Sequence, residues 1–157
     1  LLSRGYWVMS EYYKDEENPN GTLDGDDWFD TGDIATIDEL GYMEITDRTK
    51  DLIKSGGEWI SSIELENIAI SHPGVAQAAV IGVVHPKWNE RPLLIAVKAP
   101  DAKVTADDLL AFYDGKIDKW MVPDDVAFVE EIPLGATGKI LKTKLRENFA
   151  DHKLPTA

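Results

Sequence analysis

Cysteine is absent from the 157 residues. The chain therefore has no disulfide framework and no thiolate chemistry. Histidine is scarce: His72, His85 and His152 lie far apart and lack metal-ligand spacing, so they read as surface or capping residues and no metal site is expected. No Gly-x-Ser-x-Gly nucleophile elbow occurs. No apolar run approaches the ~20 residues that a membrane helix needs. Leu1-Leu2-Ser3-Arg4-Gly5-Tyr6 has neither the basic region nor the apolar stretch of a signal peptide, which makes a reducing cytoplasm the expected setting. Without such a signal, Asn20-Gly21-Thr22 reads as a turn and not as a glycosylation site. Positive charge is also in short supply. Sixteen Lys and Arg face 29 Asp and Glu, for a net charge of −13. Such a surface repels nucleic acid and anionic membranes, so neither is an expected partner. An anionic small molecule would need cations gathered locally. The strongest gathering is Lys139, Lys142, Lys144 and Arg146, of which the last two read better as a solvated helix face.

What is present is an ordinary apolar fraction of 43%, enough for one domain with an attached piece. Large apolar groups at Tyr6-Trp7-Val8-Met9 and Tyr12-Tyr13 have little around them to pack on, so this segment is expected to belong against something else. Residues 14 to 27 are polar and turn-rich and read as an exposed loop. Ile34 to Ile37 and Tyr42 to Thr46 read as strands of a hairpin across Asp38-Glu39-Leu40-Gly41. Asp51 to Lys54 and Glu58 to Ile60 flank Gly56-Gly57 as a second possible hairpin. Ser61 and Glu64 form a capping-box pattern, with Ile63, Ile68 and Ala69 as the apolar stripe of a helix that His72-Pro73-Gly74 ends. Val75 to Val84 is nearly all apolar and reads as a strand buried on both faces. His85 to Arg91 is a polar loop around Trp88, and Leu93 to Val97 is the next strand. Thr105 caps a helix with Leu109, Leu110, Phe112 and Tyr113 inward. Val126 to Val129 is a third core strand, residues 133 to 138 form a loop, and Thr143 to Phe149 a closing helix. The sum is a small α+β domain: a central three-stranded sheet flanked by helices, plus a β-hairpin.

Several short motifs could carry chemistry, and each has a plain alternative. In Thr31-Gly32-Asp33, a carboxylate beside a tight turn suits a sugar diol, though alone it reads as a turn aspartate. Asp47-Arg48-Thr49-Lys50-Asp51 alternates charge; Arg48 could donate to a ribose or phosphate oxygen, while a surface ion-pair cluster is the favoured reading by itself. Ser55-Gly56-Gly57-Glu58-Trp59 permits either close backbone approach by a ligand or an ordinary hairpin turn. Leu134-Gly135-Ala136-Thr137-Gly138-Lys139 is the sharpest: a lysine after a glycine-flanked loop can reach a phosphate as a mobile point charge. It is not a Walker A loop, because Pro133 stands where that motif needs glycine and Ile140 follows the lysine. The acidic pairs Asp26-Asp27, Asp107-Asp108 and Asp124-Asp125 read as solvated or capping groups.

Together these motifs are specific. The run Trp28 to Asp33, Gly41-Tyr42, Asp47 to Asp51, Lys54 to Ile60 and Glu64-Leu65-Glu66, followed by Trp88-Asn89-Glu90-Arg91-Pro92 and Ile132 to Lys139, resembles adenylate-forming enzymes. Its closest flavour is that of medium- or long-chain fatty-acid CoA ligases, with a ligase for an aromatic or other small carboxylate, or a binding module docking on a separate adenylating subunit, as the alternatives. The resemblance implies that residues 1–49 are the tail of a large adenylation domain and residues 50–157 its C-terminal lid. It implies ATP or AMP, CoA and Mg as cofactors, with Mg held mainly by the large domain, and ATP, a fatty acid, CoA and that large domain as partners. Asp33, Arg48 and Ile45 would contact the nucleotide. Lys50 would be the hinge and Lys139 the catalytic lysine of adenylation. Gly56, Gly57, Glu58 and Trp120 would line the CoA site. The family often has Gly where Asp47 stands and a basic residue where Val122 stands. The chain alone is expected not to turn over.

Overall fold

Residues 1–9, 23, 24 and 26–157 are described by the computed structural model. Most of the loop expected at residues 14 to 27 lies outside the described residues, as do Tyr12, Tyr13 and the turn at Asn20-Gly21-Thr22. The chain divides into two compact units, Leu1–Lys50 and Asp51–Ala157.

In the first unit, β1 (Leu2–Ser3) pairs antiparallel with β2 (Phe29–Asp30). A hairpin follows, β3 (Asp33–Ile37) and β4 (Met43–Arg48), with a register shift between Ile34 and Ala35. Its turn is set by one side chain: Asp38 Oδ1 accepts the backbone N–H groups of Leu40 and Tyr42 at 2.9 and 2.8 Å. Tyr6 and Trp7 are exposed.

The second unit is α+β. Its elements are β5 (Ile53–Ser55), β6 (Glu58–Ile60), α1 (Ser62–Ile70), β7 (Val75–His85), β8 (Asn89–Lys98), α2 (Ala106–Phe112), a 3-10 turn (Lys119–Met121), β9 (Asp125–Phe128) and α3 (Lys142–Asn148). Strands β7 and β8 form a long antiparallel hairpin, and β9 runs parallel to β8. The β5–β6 hairpin is not separate from this centre. It joins β8 through Ser55 opposite Asn89, so the sheet has five strands in the order β6-β5-β8-β7 with β9 also on β8.

Strand alternation produces two cores. Ala78, Val80, Leu94 and Ala96 face Leu65 and Ala69 of α1 and Leu109 of α2. Ala79, Ile81, Leu93 and Ile95 face Leu145 of α3 and Leu154 near the C-terminus. Because helices cover both faces, the strands read as continuous apolar runs. Each fully buried leucine or isoleucine contributes about 1.5–3 kcal/mol over its exposed state. Helix caps follow the sequence pattern. Ser61 Oγ accepts the Glu64 N–H at 3.2 Å, and Thr105 and Asp108 form a reciprocal capping box. Those hydrogen bonds from Thr105 hold the Asp108 carboxyl below the usual aspartate range. Burial pushes the Tyr113 phenol well above its usual range, and its O–H donates to the Leu65 carbonyl at 2.8 Å.

Four expectations change. The inward stripe of α1 is Leu65 and Ala69, with Ile63 and Ile68 only partly buried. The polar loop at His85 to Arg91 shrinks to a turn, because β7 and β8 extend into it. His85 is buried, with Nδ1 accepting the N–H groups of Lys87 and Trp88 at 3.1 Å each and Nε2 lying 3.0 Å from the Thr156 carbonyl. Finally, two of the four gathered cations are paired: Arg146, expected on a solvated helix face, lies 2.7 Å from Asp51 Oδ1, and Lys142 is held inside the unit. Its ammonium lies 2.7 Å from Glu66 Oε1 and 2.7 Å from Ser62 Oγ, and the same Glu66 oxygen accepts the Val80 N–H of β7 at 2.7 Å. Among the described residues no helix is long and apolar enough to cross a membrane.

Candidate functional site

The residues singled out in the first unit meet on one hairpin. Asp33 opens β3 and Arg48 closes β4, and they are direct cross-strand partners. Arg48 Nε lies 3.3 Å from Asp33 Oδ1, an ion pair open to water on the arginine side. The turn before Asp33 is built by its own side chains: Asp30 Oδ1 accepts the Gly32 N–H at 2.9 Å, and Thr31 Oγ1 accepts the Asp33 N–H at 3.1 Å. Ile45 lies opposite Ala35 on the same hairpin and is exposed. Lys50 is exposed and is the last residue of the first unit.

In the second unit, Lys139 sits on a tight, exposed loop. The Leu141 N–H donates to the Pro133 carbonyl at 2.9 Å, the Gly135 N–H to the Lys139 carbonyl at 2.8 Å, and Leu134 bridges Ile140. Gly138, at φ +77°, supplies the left-handed residue that turns the chain just before the lysine. The Lys139 side chain is exposed, so its ammonium is presented by a small fixed loop.

The tip of the β5–β6 hairpin is a glycine turn packed against Trp88. Gly56 and Gly57 are both left-handed, at φ +62° and +95°, as a two-residue hairpin turn requires. Gly56 has a second reason to be glycine. Its N–H donates to the Trp88 carbonyl at 2.8 Å, and a Cβ there would stand 2.8 Å from the Trp88 ring. The close approach is therefore to a side chain of the same unit.

Beside this tip lies a pocket of about 380 Å³ that gathers Gly56, Glu58 and Trp120, three of the four residues expected at a CoA site. Trp88 lines it as well. Gly57 lines a second cavity of about 310 Å³, which shares Gly56, Glu58 and Trp88 with the first. Cations edge this second cavity. Lys54 Nζ stands 5.0 Å from the Trp59 ring centroid and Lys87 Nζ 4.4 Å from that of Trp88. Lys139 lines neither cavity. Among the described residues no group of three or more His, Asp or Glu could hold a metal ion.

The sequence reading gave no role to the most heavily bonded residue of the pocket, Arg91, nor to Asp124 and Thr156 beside it. Asp124 is no solvated acid: Arg91 Nε and Nη2 both close on its Oδ1 at 2.6 Å, and Thr156 Oγ1 donates to its other oxygen. The neighbouring Asp125 pairs with His152 Nε2 at 2.9 Å. The available signal was a lone arginine leading into the apolar run Leu93 to Val97, since a guanidinium in a sheet interior demands a carboxylate partner.

Residues 64–139 match the AMP-binding enzyme C-terminal domain. The chain is 61% identical over 151 residues to the 3-methylmercaptopropionyl-CoA ligase of Ruegeria pomeroyi, covering 96% of this chain and 28% of that protein. It is 53% identical to the medium-chain-fatty-acid–CoA ligase of Ectopseudomonas oleovorans, over 96% of this chain and 27% of that one. Among solved structures, o-succinylbenzoate CoA synthetase from Bacillus subtilis in complex with its acyl-adenylate intermediate superposes with a TM-score of 0.84 at 32% identity, over 92% of this chain and 29% of that one. The chain thus spans less than a third of the length of these relatives.

Proposed function

We propose that this chain, whose residues 64–139 match the AMP-binding enzyme C-terminal domain, is the C-terminal part of an ATP-dependent ligase of the adenylate-forming type that joins a carboxylic acid to CoA in the cytoplasm. On this reading residues 1–49 are the end of a large adenylation domain and residues 50–157 the lid that serves it, one residue from the division between the two compact units. Two half-reactions follow. A carboxylate oxygen attacks the α-phosphorus of ATP, the bridging P–O bond to the β-phosphate breaks, and pyrophosphate leaves. The CoA sulfur then attacks the acyl carbon, the bond to AMP breaks, AMP leaves and the thiol proton passes to solvent.

In the first step negative charge grows around the α-phosphorus. A pre-positioned ammonium stabilises it, and Lys139 is the group assigned to that role. Asp33 accepts from the ribose hydroxyls, with Arg48 and Ile45 beside the nucleotide. In the second step Gly56, Gly57, Glu58 and Trp120 form the CoA site. Lys50 is the hinge that exchanges one arrangement for the other. The observation that carries this division of labour is that Gly56, Glu58 and Trp120 share one pocket which Lys139 does not line. A 61% identical relative that acts on a short thioether acid and a 53% identical one named for medium-chain fatty acids support an aliphatic acid of short to medium length as the substrate. On this reading the 157 residues by themselves do not make acyl-CoA.

The test uses the full-length ligase. Lys139→Ala is expected to slow pyrophosphate release with an aliphatic acid about 10²–10³-fold, the loss typical of removing one transition-state donor. Thioester formation from supplied acyl-adenylate should be largely kept. Unchanged pyrophosphate release would make Lys139 a surface lysine. A CoA response from the 157-residue chain on its own would instead favour a self-sufficient binding module.

A further inference from the structure

An arginine in the wall of a pocket with two tryptophans invites assignment as an anion ligand. The hydrogen bonds of Arg91 speak against it. A guanidinium has five N–H donors in a rigid fork. Here Nε and Nη2 close on Asp124 Oδ1 at 2.6 Å, Nη1 donates to Ser55 Oγ at 3.0 Å and to the Trp120 carbonyl at 2.6 Å, and Nη2 donates to the Val122 carbonyl at 3.1 Å. Four of the five donors make hydrogen bonds inside the unit, Nη2 also stands against the Asp124 carboxylate, and the side chain is only 11% exposed.

The acceptors belong to different parts of the pocket. Ser55 is the residue before Gly56, at the end of β5; Trp120 and Val122 belong to the 3-10 turn and its exit; Asp124 leads into β9. The 3-10 turn has no ladder to fix it to the sheet. Its carbonyls at Trp120 and Val122 are held by the β8 arginine instead.

We infer that Arg91 is a positioning residue: it shapes the pocket by fixing Trp120 and the Gly56 hairpin to the sheet, and does not itself meet the charge of an occupant. As a statement about CoA the inference rests on the function proposed above; as a statement about the shape of the pocket it does not. Arg91→Lys separates the two roles, because it keeps the positive charge beside Asp124 but has three donors on one atom and cannot span Ser55, Trp120 and Val122.

The experiment follows indole ¹H–¹⁵N resonances and amide exchange in the 157-residue chain. Arg91→Lys is expected to shift the Trp120 and Trp88 indole signals, to leave those of Trp7 and Trp28 in place, and to keep wild-type amide protection through β7. Ser55→Ala, which removes one neutral acceptor and leaves the charge pair intact, should give a smaller shift in the same Trp120 signal. Unmoved Trp120 signals in both variants would overturn the inference. So would loss of β7 protection in Arg91→Lys, because Arg91 would then be a strut for the whole unit. CoA titration of the full-length ligase carrying the same substitutions addresses the occupant separately. A full-length wild type that ignores CoA, alongside variants with displaced Trp120 signals, would count against CoA as the ligand and leave the positioning role standing.

Discussion

Lys142 and Glu66 lie 76 positions apart in sequence, yet their charges stand 2.7 Å from each other with side chains only 12% and 14% exposed. Removing one member of such a pair strands the other in a low-dielectric site, which costs about 3–5 kcal/mol. Lys142→Met should therefore lower stability by about 3 kcal/mol in urea unfolding, measured as a fall in midpoint with little change in slope. Adding Glu66→Gln should return part of the loss, because glutamine still offers Val80 an acceptor and leaves no bare charge. Equal losses in the single and double variants would mean that the packing of the lysine stem matters and the charge does not. The partner of Lys142 was not legible in the sequence, and for Arg91 the sequence signalled the need for a carboxylate but not that Asp124 supplies it. Long-range ion pairs leave no periodic trace, and Lys142 looked like one cation among several. His85 kept the capping half of its reading, since its Nδ1 accepts from two backbone N–H groups of the turn, but it is buried and not at the surface.

Elements were far more readable than partners. The caps at Ser61 and Thr105, the apolar runs of β7 and β8 and the glycine pair at the hairpin tip each encode local geometry, and each formed where expected. What local pattern does not encode is neighbourhood. Nothing in residues 53 to 60 says that this hairpin extends the central sheet, and nothing in residues 125 to 128 says that β9 runs parallel to β8. The α1 stripe was misread because Leu65, the residue most fully turned inward, stands between two acids. The hairpin tip supports a test at its own scale. Gly56→Ala places a Cβ 2.8 Å from the Trp88 ring and forces a left-handed alanine. The left-handed conformation alone costs about 1–2 kcal/mol. The variant should unfold at lower temperature and show altered Trp88 fluorescence, whereas Gly57→Ala, with nothing within 4 Å, should bear only the conformational cost. Equal effects at both positions would remove Trp88 from the account.

At the scale of the whole molecule, the two units differ in what holds them. Asp51–Ala157 contains both core clusters and the five-stranded sheet, whereas the described residues of Leu1–Lys50 form two short strand pairs, one of them a hairpin that exposes Ile37, Tyr42, Met43 and Ile45. A unit with its own core folds by itself. Residues 51–157 expressed alone should therefore unfold cooperatively in urea and keep the amide protection of β7 and β8. A chain that loses both on removal of residues 1–50 would make the units interdependent. The sequence motifs placed the family-like residues in both units, but the pocket emerges only when β5, β8 and the 3-10 turn come together.

The clasp between Glu66 and Lys142 also bears on how the molecule avoids its own kind. Among the described residues β7 pairs only with β8, so the other edge of this long apolar strand, if left open, would be a template for a strand from another chain; its middle, Ala78 to Ile81, is instead buried. Glu66 takes up the Val80 N–H in the middle of that edge, and the Lys142 ammonium stands over the same carboxylate. An approaching strand would have to displace a desolvated ion pair to dock there. The clasp is thus a guard against edge-to-edge aggregation, and a variant that loses it would be expected to grow sticky before it unfolds.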